Sequence, residues 1–125
     1  LNKYNFKEIE FEKMSIKEQI SLCSSSEMIV GIHGAGLTNM IFMPNGGSVI
    51  ELLPKKRGIV REFNFVRNSA KHDPCFARLA YCMNHRYSVL ECTPISNGKR
   101  TSHMNDIVVD VALLEEIIVN ISKTS

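Results

Sequence analysis

A histidine between a short apolar run and two glycines is the feature of this sequence best suited to chemistry: Gly31-Ile32-His33-Gly34-Ala35-Gly36-Leu37-Thr38-Asn39. Gly34 and Gly36 lack the Cβ atoms that would hold a ligand off the backbone or strain a turn at positive φ. Where a helix starts after such a turn, its first amides are unpaired. With the helix dipole they favour an anion, most naturally a phosphate. His33 stands where its ring can donate to that anion. The plainer alternative is a ring that caps the strand end by bonding a backbone carbonyl. Thr38 and Asn39 add neutral donors, and Asn39 is equally able to bond within the turn. The pattern is neither the G-x-G-x-x-G dinucleotide fingerprint nor a P-loop with its lysine.

Glu51, after the next apolar run, is the second candidate. It can accept from ribose hydroxyls, as carboxylates do in other nucleotide folds, or brace the glycine turn by accepting backbone amides. No D-x-D pattern occurs, and His72, His85 and His103 form no pair at metal-ligand spacing. All three are expected at the surface, and no metal site is expected. Met40, Phe42 and Met43 are most simply core. Lys55, Lys56 and Arg57 make a basic loop able to steer an anionic ligand, although such loops are commonly just solvated.

The elements that hold this turn follow from the apolar pattern. Residues 28–32 and 48–53 are short apolar runs, the mark of strands covered on both faces in a parallel sheet. They are expected to be adjacent, parallel and interior. Residues 4–12 read as an edge strand, although their apolar side chains do not keep to one face. Ser15 with Glu18 makes a capping box for a helix reaching Ser24. Residues 37–43 suit one or two helical turns, stopped by Pro44-Asn45-Gly46-Gly47. Residues 59–69 are ambiguous. Asp73-Pro74 reads as a helix start, with Phe76, Leu79, Ala80 and Met83 on one face. Residues 87–92 form a strand, 94–105 a loop, and 107–111 a brief extended piece. Asp110 caps a last helix, 111–122, with Leu114, Ile117, Ile118 and Ile121 inward. Alternating strands and helices predict an α/β fold: a doubly wound, mostly parallel sheet, with ligands at the carboxyl ends of its strands.

One domain of 125 residues, 44% hydrophobic and 22% charged, is ordinary for such a fold. A net charge of +2, from 15 basic and 13 acidic residues, argues against nucleic acid as a partner. Cys23, Cys75, Cys82 and Cys92 show no C-x-x-C pair and are expected to be mostly free, buried thiols. Asn120-Ile121-Ser122 fits a glycosylation sequon, too common a triplet to decide the compartment. The chain opens on Leu1, so a longer reading frame or processing is expected.

The block 31–39, then Phe42-Met43-Pro44, then Val49-Ile50-Glu51-Leu52 and Pro54, resembles the signature of glycosyltransferase family 61. Gln19, residues 28–30 and the closing stretch 106–114 agree in order and spacing. The resemblance implies a GT-B enzyme, two Rossmann-like domains facing a cleft, with residues 1–125 as a single Rossmann-like unit from the C-terminal, donor-binding half. It implies inverting transfer of a sugar from a nucleoside diphosphate sugar to a glycan or protein acceptor, without a bound metal or other cofactor. His33, Gly34, Ala35, Gly36, Leu37, Thr38, Asn39 and Glu51 then become the donor-binding residues. The catalytic residue is not assigned, and the partner N-terminal domain would lie outside this piece. A secretory lumen is implied in a eukaryote, and a cytoplasmic or membrane-associated place in a bacterium. The turn 44–47 departs from the family's shorter Pro-Gly form, which lengthens or loosens it and leaves the pocket intact. A phosphate- or nucleotide-binding module without catalysis is the competing reading.

Overall fold

The structure, a computed structural model, describes residues 2–54, 60–62, 75–95 and 107–124. The expectations for the Lys55-Lys56-Arg57 loop, residues 63–69, His72, the Asp73-Pro74 cap, most of the loop before residue 106 and His103 lie outside them. Strands β1 (Met28–Ile32), β2 (Ser48–Pro54) and β4 (Arg86–Pro94) are parallel neighbours. Strand β3 (Val60–Glu62) runs antiparallel on the far side of β4, giving the order β1-β2-β4-β3. A two-residue strand, β5 (Ile107–Val108), pairs with the end of β4. The helices are α1 (Ile16–Ser24), α2 (Cys75–Cys82) and α3 (Val111–Thr124), and a 3₁₀ helix spans Ala35–Phe42. None is long and apolar enough to cross a membrane among the described residues.

Period-2 alternation along the strands divides the core between the two faces of the sheet. Val49, Tyr87 and Val89 pack with Cys23 of α1, Leu37 and Met40 of the 3₁₀ helix, and Ala77 and Ala80 of α2. Ile50, Leu52, Leu90 and Cys92 face the other way, onto Leu114, Ile117, Ile118 and Ile121 of α3. Both faces are therefore covered, which explains why β2 and β4 are mostly apolar on both faces, with Glu51, Ser88 and Glu91 as buried exceptions. The chain is α/β with a sheet that is mainly parallel.

Local signals act as the residue types dictate. Ser15 Oγ accepts the amide of Glu18 at 3.2 Å and starts α1. Asp110 Oδ1 accepts the amide of Leu113 at 3.1 Å and starts α3. Four expectations need correction. Residues 4–12 form no strand: Asn5 has φ 61°, which breaks an extended run, and Phe11–Lys13 closes into a 3₁₀ turn. Strand β1 pairs with β2 as expected but ends the described sheet rather than lying inside it. Its residues are half-buried, and Ile32 is 50% exposed. His85 is buried, not at the surface, because its Nε2–H donates to the carbonyl of Met40 at 2.9 Å. The cysteines are thiols rather than disulfides, but only Cys23 and Cys92 are buried; Cys75 and Cys82 sit on the exposed side of α2.

The long turn 44–47 is pinned, not loose. Gly46 holds φ 87°, a left-handed value that suits glycine, and its amide donates to Asn84 O at 3.0 Å. Gly47 O accepts the amide of Arg86 at 2.9 Å. The turn entering β2 is thereby tied to the turn entering β4.

Candidate functional site

Parallel pairing sets Gly31 beside Glu51 and Glu51 beside Val89. These residues share the α1/α2 face of the sheet, near the carboxyl ends of the strands. His33 follows β1 by one residue, and its amide donates to Leu52 O at 3.0 Å, which extends the pairing of β1 with β2. Its ring lies on the same face as Glu51, and His33 Nδ1 is hydrogen-bonded to Glu51 Oε1. The edge of the ring meets Phe76 of α2, with centroids 5.2 Å apart at 76°. The His33 side chain remains 31% exposed while that of Glu51 is only 7% exposed. Among the described residues, Nε2 has no hydrogen-bond partner. His33 thus bonds a carboxylate and not a carbonyl, and Glu51 braces His33 rather than the turn amides.

Burial pushes the Glu51 carboxyl above its ordinary 4.5, while its hydrogen bond and attraction to His33 pull it back. A second buried acid lies on this face. Glu91 of β4 is buried and pairs in register with Leu53, two residues beyond Glu51. Glu91 is not among the candidates named from the sequence; its signal there is a lone acid inside the apolar run Val89-Leu90-Glu91-Cys92.

The other candidates divide by exposure. Ala35, Gly36 and Thr38 are exposed, and Gly34 is half-buried with extended φ 162°. Leu37 turns its side chain into the core, where its Cδ2 lies 3.1 Å from where a Cβ on Gly31 would stand. Asn39 is buried, and its Nδ2 donates to Gly36 O at 3.1 Å, closing the turn from within. Neither Gly34 nor Gly36 sits in the left-handed region that favours glycine. Gly36 is held small by Phe11, whose ring would stand 3.3 Å from an added Cβ. Gln19 Nε2 keeps Phe11 in place by donating to the carbonyls of Phe11 and Met14.

A groove of about 1170 Å³ runs along the edge of β1 that ends the described sheet. It is lined by Phe11, Val30, Ala35, Gly36 and Ile118 among others, and takes in neither His33 nor Glu51. Ala35 and Gly36 therefore open onto the groove, and His33, at the start of the same turn, clusters with Glu51 and Phe76 at the end of β1 and β2. No group of three His, Cys, Asp or Glu side chains is arranged to hold a metal among the described residues.

Comparison with known proteins places similarity on this part of the chain. The family model for Glycosyltransferase 61 matches residues 1–50. The EGF domain-specific O-linked N-acetylglucosamine transferase of Drosophila melanogaster is 31% identical over 51 residues, 41% of this chain and 10% of the relative. The protein O-linked-mannose beta-1,4-N-acetylglucosaminyltransferase 2 of Canis lupus familiaris is 35% identical over 46 residues, 37% of this chain and 8% of the relative. An alpha-1,3-arabinosyltransferase of Oryza sativa subsp. japonica is 33% identical over 51 residues, 38% of this chain and 9% of the relative. The chain matches about a tenth of the length of these relatives. No solved structure matches. Glu51 lies one residue beyond the stretch that the family model covers. The stretch 1–50, which holds the His33 turn, is similar in sequence to the glycosyltransferase 61 family.

Proposed function

We propose that this chain is the donor-binding part of a glycosyltransferase that moves a sugar from a nucleoside diphosphate sugar to an acceptor hydroxyl. The observation that supports this most directly is the match of residues 1–50, which hold the His33 turn, to the glycosyltransferase 61 family model, beside relatives named as glycosyltransferases. The whole enzyme in this reading is a GT-B protein with inverting chemistry. The unit described here would be its C-terminal Rossmann-like domain, inactive without the facing domain.

In this reading the diphosphate lies against the turn, where the amides of Ala35 and Gly36 and the ring of His33 meet charge that grows on the leaving group. The base that deprotonates the acceptor comes from the facing domain. The sugar is one of those in the relatives' names, N-acetylglucosamine or arabinose, and the acceptor is a protein or a glycan. The donor is held without a metal ion.

Titration calorimetry of the full-length protein with UDP, GDP, CDP and ADP, in the presence and absence of EDTA, tests the reading. Binding of one nucleotide well above the others, unchanged by EDTA, is expected. Equal binding of all four and of inorganic phosphate would point to a phosphate-binding module instead. No binding at all would remove the donor reading.

A further inference from the structure

We infer that Glu51 is a positioning residue that sets the proton count of His33, so that the donor's diphosphate enters the site together with one proton. The inference rests on the donor-binding reading above and names what that site requires of its ligand. Its basis is the arrangement of three atoms. His33 Nδ1 faces Glu51 Oε1, a buried acceptor. His33 Nε2 is the ring's other polar atom, on a side chain that remains partly exposed.

Consider the pair carrying a single proton. That proton lies between Nδ1 and Oε1, and Nε2 presents a bare lone pair. A phosphate oxygen also presents lone pairs, so this state repels the ligand. Add one proton from solvent, and two arrangements arise. The ring becomes an imidazolium beside a carboxylate, or the shared proton passes to Oε1 and a neutral ring carries its hydrogen on Nε2. Both put an N–H at Nε2 and differ only in where the shared proton rests. The donor-competent state is therefore the pair with two protons, whichever form dominates.

The other charges on the elements packed here do not supply this switch. Among the described residues, β1 and the 3₁₀ helix Ala35–Phe42 carry none. Strand β4 offers Glu91 on the same face, two register positions beyond Glu51. Helix α2 meets the ring through Phe76, and its Arg78 is exposed. Among the described residues, only Glu51 is hydrogen-bonded to Nδ1.

Glutamine at position 51 removes the requirement. Its amide, unlike a carboxylate, can donate to Nδ1, an arrangement in which a neutral ring already holds its hydrogen at Nε2. The variant should bind the diphosphate without taking up a proton.

The test uses the full-length protein labelled with ¹⁵N-histidine, with the His33 signal assigned by His33→Gln. At alkaline pH, the wild-type ring should carry its hydrogen at Nδ1, and Glu51→Gln should move it to Nε2. Calorimetry with UDP, GDP, CDP and ADP from pH 6 to 9, in buffers of different ionisation enthalpy, then counts protons. Wild-type affinity should fall by up to about tenfold per pH unit on the alkaline side, with uptake approaching one proton. Glu51→Gln should give a flat profile, and Glu51→Asp should restore part of the slope. A wild-type ring protonated at Nε2 at alkaline pH overturns the inference, as does equal proton uptake by wild type and Glu51→Gln. Binding without proton uptake overturns it alone and leaves the donor reading standing. Absence of binding by all four nucleotides, with the tautomers as stated, overturns the donor reading and this inference with it.

Discussion

His33 Nδ1 is hydrogen-bonded to the buried Oε1 of Glu51 across the junction of β1 and β2, although the two residues stand 18 positions apart. The contact exists because parallel pairing sets Gly31 beside Glu51, and the chain beyond Ile32 returns His33 to the same face. It makes the two side chains one unit, so changing either alters the protonation of the other.

Stability should respond to pH through Glu51. Its folded pKa is raised above 4.5, mainly by burial. A raised folded value means that its contribution to stability is full below 4.5 and is lost as pH rises through the folded value. Each unit of elevation corresponds to ~1.4 kcal/mol between the two ends of that window. Glutamine keeps the shape and never ionises. Glu51→Gln should therefore gain thermal stability relative to wild type at pH 8 and lose that advantage at pH 4. Thermal midpoints of both proteins across this range provide the check. A constant difference, or one that grows toward acid, would contradict the assignment of burial as the cause.

Truncating His33 should disturb folding as well as binding. A side chain at a cleft mouth is expected to be dispensable for stability, but this ring is the hydrogen-bond partner of a buried acid. His33→Ala strands that acid, at a cost of about 1–3 kcal/mol. With Glu51→Gln in the background the loss should shrink, giving a coupling of at least about 0.5 kcal/mol. Urea unfolding of the two single variants and the double variant reads this number. Additive effects would mean that the hydrogen bond adds little to the fold.

How much of this was legible in the residues follows from the range over which each signal acts. Ser15 and Asp110 announce α1 and α3 because a cap bonds an amide three positions away. The apolar runs at β1 and β2 show that each strand is covered on both faces, and their parallel pairing follows. They do not reveal what lies beside a strand in the sheet, so the end position of β1 could not be read. The misreading of residues 4–12 has a local cause: polar and apolar residues alternate there, but no face is consistently apolar, and Asn5 turns the chain. His85, Glu91 and the His33–Glu51 bond depend on contacts between distant segments. Such contacts leave only a faint trace, a polar residue inside an apolar run.

The tied turn before β2 supplies a control distant from the site's chemistry. A Cβ on Gly47 would stand 2.5 Å from Met43 Cε and 3.1 Å from Glu27 O. The methionine methyl can swing aside, but the Glu27 carbonyl is fixed by the amide of Ser48 at 2.9 Å. Gly47→Ala should therefore destabilise by about 1–3 kcal/mol, the usual range for overpacking. Nucleotide affinity of the folded fraction should remain near wild type. Chemical denaturation with parallel calorimetry separates the two quantities; an unchanged midpoint would show that the turn yields.

Gly34 offers the sharpest separation of fold from ligand. Its φ of 162° is extended backbone open to any residue, and an added Cβ would have Ile32 O, at 3.8 Å, as its nearest neighbour. Nothing among the described residues requires glycine there. A ligand does: a diphosphate drawn to the amides of Ala35 and Gly36 must approach past position 34, and a methyl group would occupy that approach. Gly34→Ala should leave stability within about 0.5 kcal/mol of wild type, as for substitutions that meet no neighbour. Nucleoside diphosphate affinity should nevertheless fall by about tenfold or more, which needs only ~1.4 kcal/mol. Thermal midpoint and calorimetric affinity measured on one preparation of the full-length protein decide the matter. Unchanged affinity at unchanged stability would place the diphosphate elsewhere, away from the His33 turn.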